Sequence, residues 1–182
     1  VDGPAKITGA AKYAFEQQLD GLAHAVMVEA TIAAGTVRAI DTRAAETAPG
    51  VLLVLTPDTI MEIKGASDWL GNPPAQKTYA PLARTVTYSG QHIAAVVAET
   101  FHTAFNARNA LRIKWAPGPM ASLSDAGIRS RLRAAVPEPG TPPRGSTQVE
   151  GEFEFAFVSH APMEVLTAIA DVRAHRAELW CS

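Results

Sequence analysis

One cysteine in 182 residues leaves no internal disulfide framework and no cysteine-based zinc site. Charge of one sign is also missing. Sixteen basic and eighteen acidic side chains give a formal net charge of −2, so no global electrostatic case exists for nucleic acid or an anionic membrane as partner. Long hydrophobic runs are absent. The longest, such as Val51 to Leu55 and Ile93 to Ala98, have the length of strands and fall far below the roughly 20 residues a bilayer needs, so no direct membrane insertion is expected. No signal peptide is visible, and the compartment stays open. What is present is ordinary for a folded domain: 47% hydrophobic and 19% charged residues, in a chain long enough to bury a core. Val1-Asp2-Gly3-Pro4 at one end and the strand-like Leu179-Trp180-Cys181-Ser182 at the other suggest an excised piece of a longer protein.

The first twenty residues show little periodicity. Leu22 to Ala30 is a nearly continuous apolar run and predicts a strand buried on both faces. Thr36 to Asp41 predicts a second strand, and Thr42 to Ala48 a short helix stopped by Pro49-Gly50. Val51 to Leu55 predicts a third strand. Ile60 to Leu82 reads as a long loop, with Trp69 and Tyr79 as candidate contact residues. Thr85 to Tyr88, the Ser89-Gly90 turn and His92 to Glu99 predict a strand, a turn and a buried strand. Thr100 can cap a helix to Ala110, with Phe101, Ala104, Phe105 and Ala107 on or near one face. Leu111 to Trp115 alternates, so the strand–helix–strand order suggests a βαβ-like unit with a right-handed crossover.

After Pro117-Gly118-Pro119, Ser122 and Asp125 look like a capping box, with Leu123, Ile128, Leu132 and Val136 on one helical face. Pro137 to Gly145 holds four of the 13 prolines and reads as a linker. Charge changes there too: residues 106–145 carry net +5 and residues 146–182 net −4. Beyond it, Val149, Gly151, Phe153, Phe155 and Phe157 alternate with Glu150, Glu152 and Glu154, which predicts a strand with one aromatic and one acidic face. Thr167 to Val172 and Ala177 to Cys181 predict a hairpin with exposed apolar surface, because three short strands make an incomplete sheet.

Few residues carry chemistry by pattern. The five histidines (His24, His92, His102, His160 and His175) lack the spacing that sets two imidazoles on one metal. No dinucleotide or triphosphate loop is present, and no nucleophile elbow. Glu150, Glu152 and Glu154 form a solvated strand face rather than an acid–base set. Arg129, Arg131 and Arg133, at spacing two on a helix, spread around its surface. Cys181 has no local base to activate it. The segment Ser159-His160-Ala161-Pro162-Met163-Glu164 sets a His, a turn-fixing Pro and a Glu between strands, where sites tend to be built.

Several stretches together resemble one family. Asp2-Gly3-Pro4-Ala5-Lys6-Ile7-Thr8-Gly9, then Ala11-Lys12-Tyr13-Ala14, are similar to the opening of the large, molybdopterin-binding subunit of the xanthine dehydrogenase and aldehyde oxidase family. Gly21-Leu22-Ala23-His24-Ala25, Ile40-Asp41-Thr42 and Pro49-Gly50-Val51 follow in that family's order. Tyr88-Ser89-Gly90-Gln91-His92-Ile93-Ala94-Ala95-Val96-Val97-Ala98-Glu99-Thr100 resembles its Y-x-G-Q-x-x-A-x-V-V-A strand, and His160 to Glu164 its H-A-P-M-E segment. Ala107 to Leu123 looks most like the branch of isoquinoline 1-oxidoreductase and membrane-bound aldehyde dehydrogenase.

The resemblance implies an α+β chain. Residues 1–118 would form an α/β hammerhead domain, 119–145 a helix and Pro/Gly-rich linker, and 146–182 the start of a molybdopterin-binding domain. It implies a full-length molybdenum hydroxylase that oxidises an aldehyde or N-heterocycle with water-derived oxygen. Its partners would be the remainder of the molybdopterin-binding subunit and a two-iron, two-sulfur (2Fe-2S) subunit or domain. The family's Gly-rich loop facing the metal and its late catalytic Glu have no counterpart here. The chain is therefore expected to carry no catalytic residue or metal ligand, to bind no cofactor and to be inactive alone. His160 and Glu164 map onto the shared segment as residues expected behind the cofactor rather than on it. The competing class is a self-contained α/β binding or interaction module with no redox role.

Overall fold

A computed structural model describes the chain apart from residues 1, 66, 68, 69, 74–77, 121, 139, 156, 157, 159, 160 and 163. In chain order it forms helix α1 (Gly3–Ile7), a 3-10 turn (Ala14–Glu16), β1 (His24–Glu29), β2 (Gly35–Asp41), α2 (Arg43–Glu46) and β3 (Val51–Leu55). There follow β4 (Ile63–Lys64), β5 (Thr78–Tyr79), β6 (Thr85–Val86), β7 (His92–Ala98), α3 (Phe101–Ala110) and β8 (Arg112–Pro117). Helix α4 (Asp125–Ala135) and strands β9 (Ala168–Arg173) and β10 (Arg176–Cys181) complete the order. Two compact units result: Gly21–Glu138, and Val1–Asp20 together with Pro139–Ser182.

The unit Gly21–Glu138 is built on two three-stranded sheets, ordered β1-β7-β3 and β6-β2-β8, with β4 and β5 as a small pair of their own. Every pairing among the described residues is antiparallel. This corrects the expected βαβ crossover. Helix α3 leaves β7 in one sheet and delivers the chain to β8 in the other, and α2 carries it from β2 to β3 in the same manner. The helices therefore link two sheets instead of returning the chain parallel to one.

Strand β7 is central. Ile93, Ala94, Val96 and Ala98 are fully buried, as expected of an apolar strand flanked on both sides. Strand β1 differs from its predicted double burial: Val26 and Val28 are buried while Ala25 and Glu29 are exposed, the alternation of a strand packed on one face only. The core joins both sheets through Val28, Val37, Val54, Val86, Ile93 and Val96, with Ala45 of α2 and Ala107 of α3 closing it. Thr100 caps α3 as its sequence suggests, accepting a hydrogen bond from the Thr103 amide at 3.1 Å. On that helix the alanines face inward. Phe101 and Phe105 stay partly exposed, 6.2 Å apart between ring centroids, with Arg108 over Phe105.

Two glycine positions set the approach of β2 to β8. Gly35 has φ 147°, and a Cβ there would meet the Ala116 carbonyl oxygen at 2.4 Å. Gly118 donates to the Ala34 carbonyl at 3.0 Å on the same path. Only a residue without a side chain lets the two backbones come this close.

Helix α4 is capped by Ser124, whose Oγ accepts from the Gly127 amide at 3.2 Å, and not by Ser122. None of its residues is buried, and Leu132 and Val136 lie in the open. The described residues of 149–155 form no strand, contrary to the alternation; Val149, Phe153 and Phe155 are almost wholly exposed. Alternation selects which face would be buried, but a strand also needs a hydrogen-bonding neighbour, and no described strand pairs there. Phe157 lies outside the described residues. The predicted hairpin is present as β9 and β10, joined across Ala174-His175.

Candidate functional site

The segment 159–164 is the strongest candidate from sequence. Its Ser159, His160 and Met163 lie outside the described residues; Ala161, Pro162 and Glu164 lie within them. Glu164 is committed to backbone. Its carboxylate accepts the amide hydrogen of Ala14 at 3.0 Å, across 150 residues of sequence. Ala14 opens the 3-10 turn, and Glu16 steadies that turn by accepting the Tyr13 amide at 2.9 Å. The turn packs on β9 and β10. Ile169 is buried and Trp180 half-buried on the hairpin. Thr167 and Ser182 close its open end, the Thr167 amide donating to Ser182 Oγ at 3.0 Å and the Ser182 amide to the Thr167 carbonyl at 3.2 Å. A carboxylate that accepts a backbone amide in a half-buried setting acts as a clasp.

The remaining sequence candidates are dispersed. His102 pairs with Asn106 at 3.0 Å along the exposed side of α3. His92 and His175 are exposed, and His24 is half-buried on β1. Among the described residues, no three His, Cys, Asp or Glu side chains converge as a metal site would require. Glu150 accepts from Gln148 at 2.7 Å and is exposed, as are Glu152 and Glu154. Arg129, Arg131 and Arg133 are exposed on α4. Cys181 is exposed on β10. Tyr79, at 40% exposure, pairs with Ile63 across β4 and β5, while Trp69 lies outside the described residues.

One constellation escapes the sequence reading. Ala39, Ile40, Asp41, Thr42, Arg43, Arg112 and Lys114 line an open groove where β2 and β8 run side by side. The register sets Asp41 opposite Arg112 and Ala39 opposite Lys114. Arg43 forks onto Asp41, with Nε at 2.9 Å and a terminal nitrogen at 2.7 Å. Hydrogen bonding from Arg43 lowers the Asp41 carboxyl from its ordinary 3.8 to about 2. Asp41 is thus ionised at neutral pH and unsuited to proton transfer there. The alternation of Arg112 and Lys114 was the available signal. A second hollow of about 110 Å³, lined by Pro119, Met120, Leu123 and Arg131 among others, is smaller than the several hundred cubic ångströms of an ordinary ligand site.

Comparison with known proteins gives the geometry a context. A family model described as aldehyde oxidase and xanthine dehydrogenase, a/b hammerhead domain, matches residues 8–119. The aldehyde oxidoreductase molybdenum-binding subunit PaoC of Escherichia coli K12 is 32% identical over 200 aligned positions, covering all of this chain and 25% of that protein. The putative xanthine dehydrogenase molybdenum-binding subunit XdhA of the same strain is 28% identical, over 93% of this chain and 25% of its own length. Among solved structures, the reconstituted CO dehydrogenase from Oligotropha carboxidovorans superposes with a TM-score of 0.53 and 25% identity, covering 65% of this chain and 15% of that one. The chain thus spans a quarter of the length of these two relatives.

Proposed function

Because the chain belongs to the aldehyde oxidase and xanthine dehydrogenase hammerhead family, we propose that it is the architectural portion of a molybdenum hydroxylase large subunit. In this reading residues 1–118 supply the hammerhead domain, 119–145 a helix and linker, and 146–182 the beginning of the molybdopterin-binding region. The match of the family model over residues 8–119 carries the proposal. The names of PaoC and XdhA, both molybdenum-binding subunits, support extending it to the whole protein.

In this reading the cofactor's contacts and every bond-making step belong to polypeptide beyond these 182 residues, because the Gly-rich loop and the late Glu of the family have no counterpart in this sequence. The assembled enzyme would exchange a C–H bond of an aldehyde or N-heterocycle for a C–O bond. The oxygen comes from water, two protons are released, and two electrons leave to a 2Fe-2S subunit or domain. Within that assembly Glu164 holds the N-terminal turn in place through the Ala14 amide, and His160, which lies outside the described residues, is given a supporting rather than a catalytic role on the shared sequence segment alone.

The test is to produce the full-length subunit with its iron–sulfur partner in water enriched in ¹⁸O. Bound molybdenum, oxidation of an aldehyde or N-heterocycle, and ¹⁸O in the product are expected. The 182-residue chain alone is expected to turn over none of these substrates. A full-length protein without molybdenum or oxidation would overturn the proposal, and so would turnover by the 182-residue chain.

A further inference from the structure

Strand β8 ends the sheet ordered β6-β2-β8, so among the described residues its outer backbone edge has no strand beside it. Such an edge offers its outward N–H and C=O groups as a template for one more strand. The two faces of β8 differ. Ile113 and Trp115 are half-buried and pack on the core. Arg112 and Lys114 alternate with them on the opposite face and are exposed. There they stand opposite Asp41 and Ala39 of β2, in an open groove of about 590 Å³. Asp41 is already engaged by Arg43, which forks onto it at 2.9 and 2.7 Å. The groove thus sets three cations, Arg43, Arg112 and Lys114, against one carboxylate, in a chain whose formal net charge is −2.

We propose that β8 is a docking edge for a separate polypeptide, which adds an extended segment carrying acidic side chains at alternate positions. Directly opposed residues of neighbouring strands share a face, with Cβ atoms about 4.5–5.5 Å apart, so every second side chain of the added strand meets Arg112 or Lys114. Carboxylates satisfy that face. The intervening side chains fall on the side of Ile113 and Trp115, where apolar groups fit. The backbone gives affinity, and the alternating acidic and apolar side chains give specificity. Charge selects this partner over other polyanions. Three cations on a net-negative chain attract a phosphate backbone or an anionic membrane weakly, and neither supplies the N–H and C=O groups that an open edge pairs with. Charge also selects a separate chain over permanent internal cover. Burying three cations for good is costly, whereas at a reversible interface complementary charge speeds encounter and fixes register. Lysine and proline on an edge deter indiscriminate pairing, and β8 carries Lys114 and Pro117. A neutral or basic strand is turned away while an acidic one is admitted. Every residue involved lies in the unit Gly21–Glu138, and the docking edge is independent of the molybdenum hydroxylase reading.

The test uses a short fluorescein-labelled peptide of alternating glutamate and valine, titrated with the 182-residue chain and read by fluorescence anisotropy. Saturable binding that weakens with added salt is expected, and none for the matching peptide of lysine and valine. Arg112→Glu combined with Lys114→Glu should weaken binding at least about tenfold. Arg112→Gln combined with Lys114→Gln should weaken it about threefold or more, which decides the matter if the charge-reversed chain does not fold. The β8 amides should exchange more slowly with peptide bound, an effect that attraction to the cations alone does not produce. Absence of saturable binding, equal affinity in the parent and both variants, or unchanged β8 exchange would each overturn the inference. Displacement of the peptide by an equal concentration of inorganic tripolyphosphate would overturn it in favour of a simple anion site. Dimers of the 182-residue chain in sedimentation that vanish on Arg112→Glu would overturn it in favour of a second copy. The full-length subunit should bind the peptide as the short chain does. A site blocked there would overturn the inference in favour of internal cover.

Discussion

Strands β7 and β10 are of similar length, seven residues against six, yet they live in different physical circumstances. Strand β7 runs between β1 and β3, so its backbone is paired along both edges and four of its side chains are fully buried. Among the described residues strand β10 has one neighbour, β9, and it has no fully buried side chain. The same contrast sets α3 against α4. The first buries Ala104 and Ala107 against its sheet; the second buries nothing although its cap is well formed. Local signals suffice to start an element, and neighbours decide what it is worth.

Substitutions should divide accordingly between the unit Gly21–Glu138 and the unit formed by both chain ends. Ile93→Ala removes a fully buried side chain from the middle of β7 and should cost about 2–5 kcal/mol in chemical denaturation. A cost below 1 kcal/mol would mean that β7 is not the centre of the core. Gly35→Ala drives a Cβ into the Ala116 carbonyl and should cost about 1–3 kcal/mol, read by the same transition. Glu164→Ala leaves the Ala14 amide without its acceptor, at a cost of about 1 kcal/mol confined to the chain-end unit. Hydrogen exchange at Ala14 should accelerate while the β7 amides stay unchanged, and Glu164→Gln, which keeps an acceptor, should restore protection. The smallest effect belongs to Asp41. Its folded pKa of about 2 lies below the ordinary 3.8, so its contribution is complete above 3.8 and is lost as pH falls through about 2. Stability measured down that range should decline slightly less in Asp41→Asn than in the parent chain.

Much of the unit Gly21–Glu138 is legible in the sequence. The apolar run Ile93 to Ala98, the Thr100 cap and the alternation after Leu111 each reflect forces local to their own residues. Sheet membership is not, because antiparallel pairing of β7 with β1 and β3 depends on residues dozens of positions away. For the same reason Val149 to Phe155 misleads: its alternation is clean, but nothing local reveals that no described strand pairs with it. At the candidate site, the H-A-P-M-E segment marks Glu164 as noteworthy. Its acceptor role toward Ala14 becomes visible only once both chain ends are folded into one unit. The Asp41, Arg43, Arg112 and Lys114 groove was half-written in the alternation of β8 and needed the β2–β8 register to complete it.

The most direct measurement is residue-level hydrogen exchange on the 182-residue chain, comparing β7 with residues 149–155. Amides of Ile93 to Ala98 should exchange only through global unfolding, while those of Val149 to Phe155 should exchange at rates close to an unstructured peptide. Equal protection in the two segments would show that the C-terminal region is complete by itself. It would contradict the account of a self-supporting hammerhead core followed by a region finished elsewhere in a larger subunit.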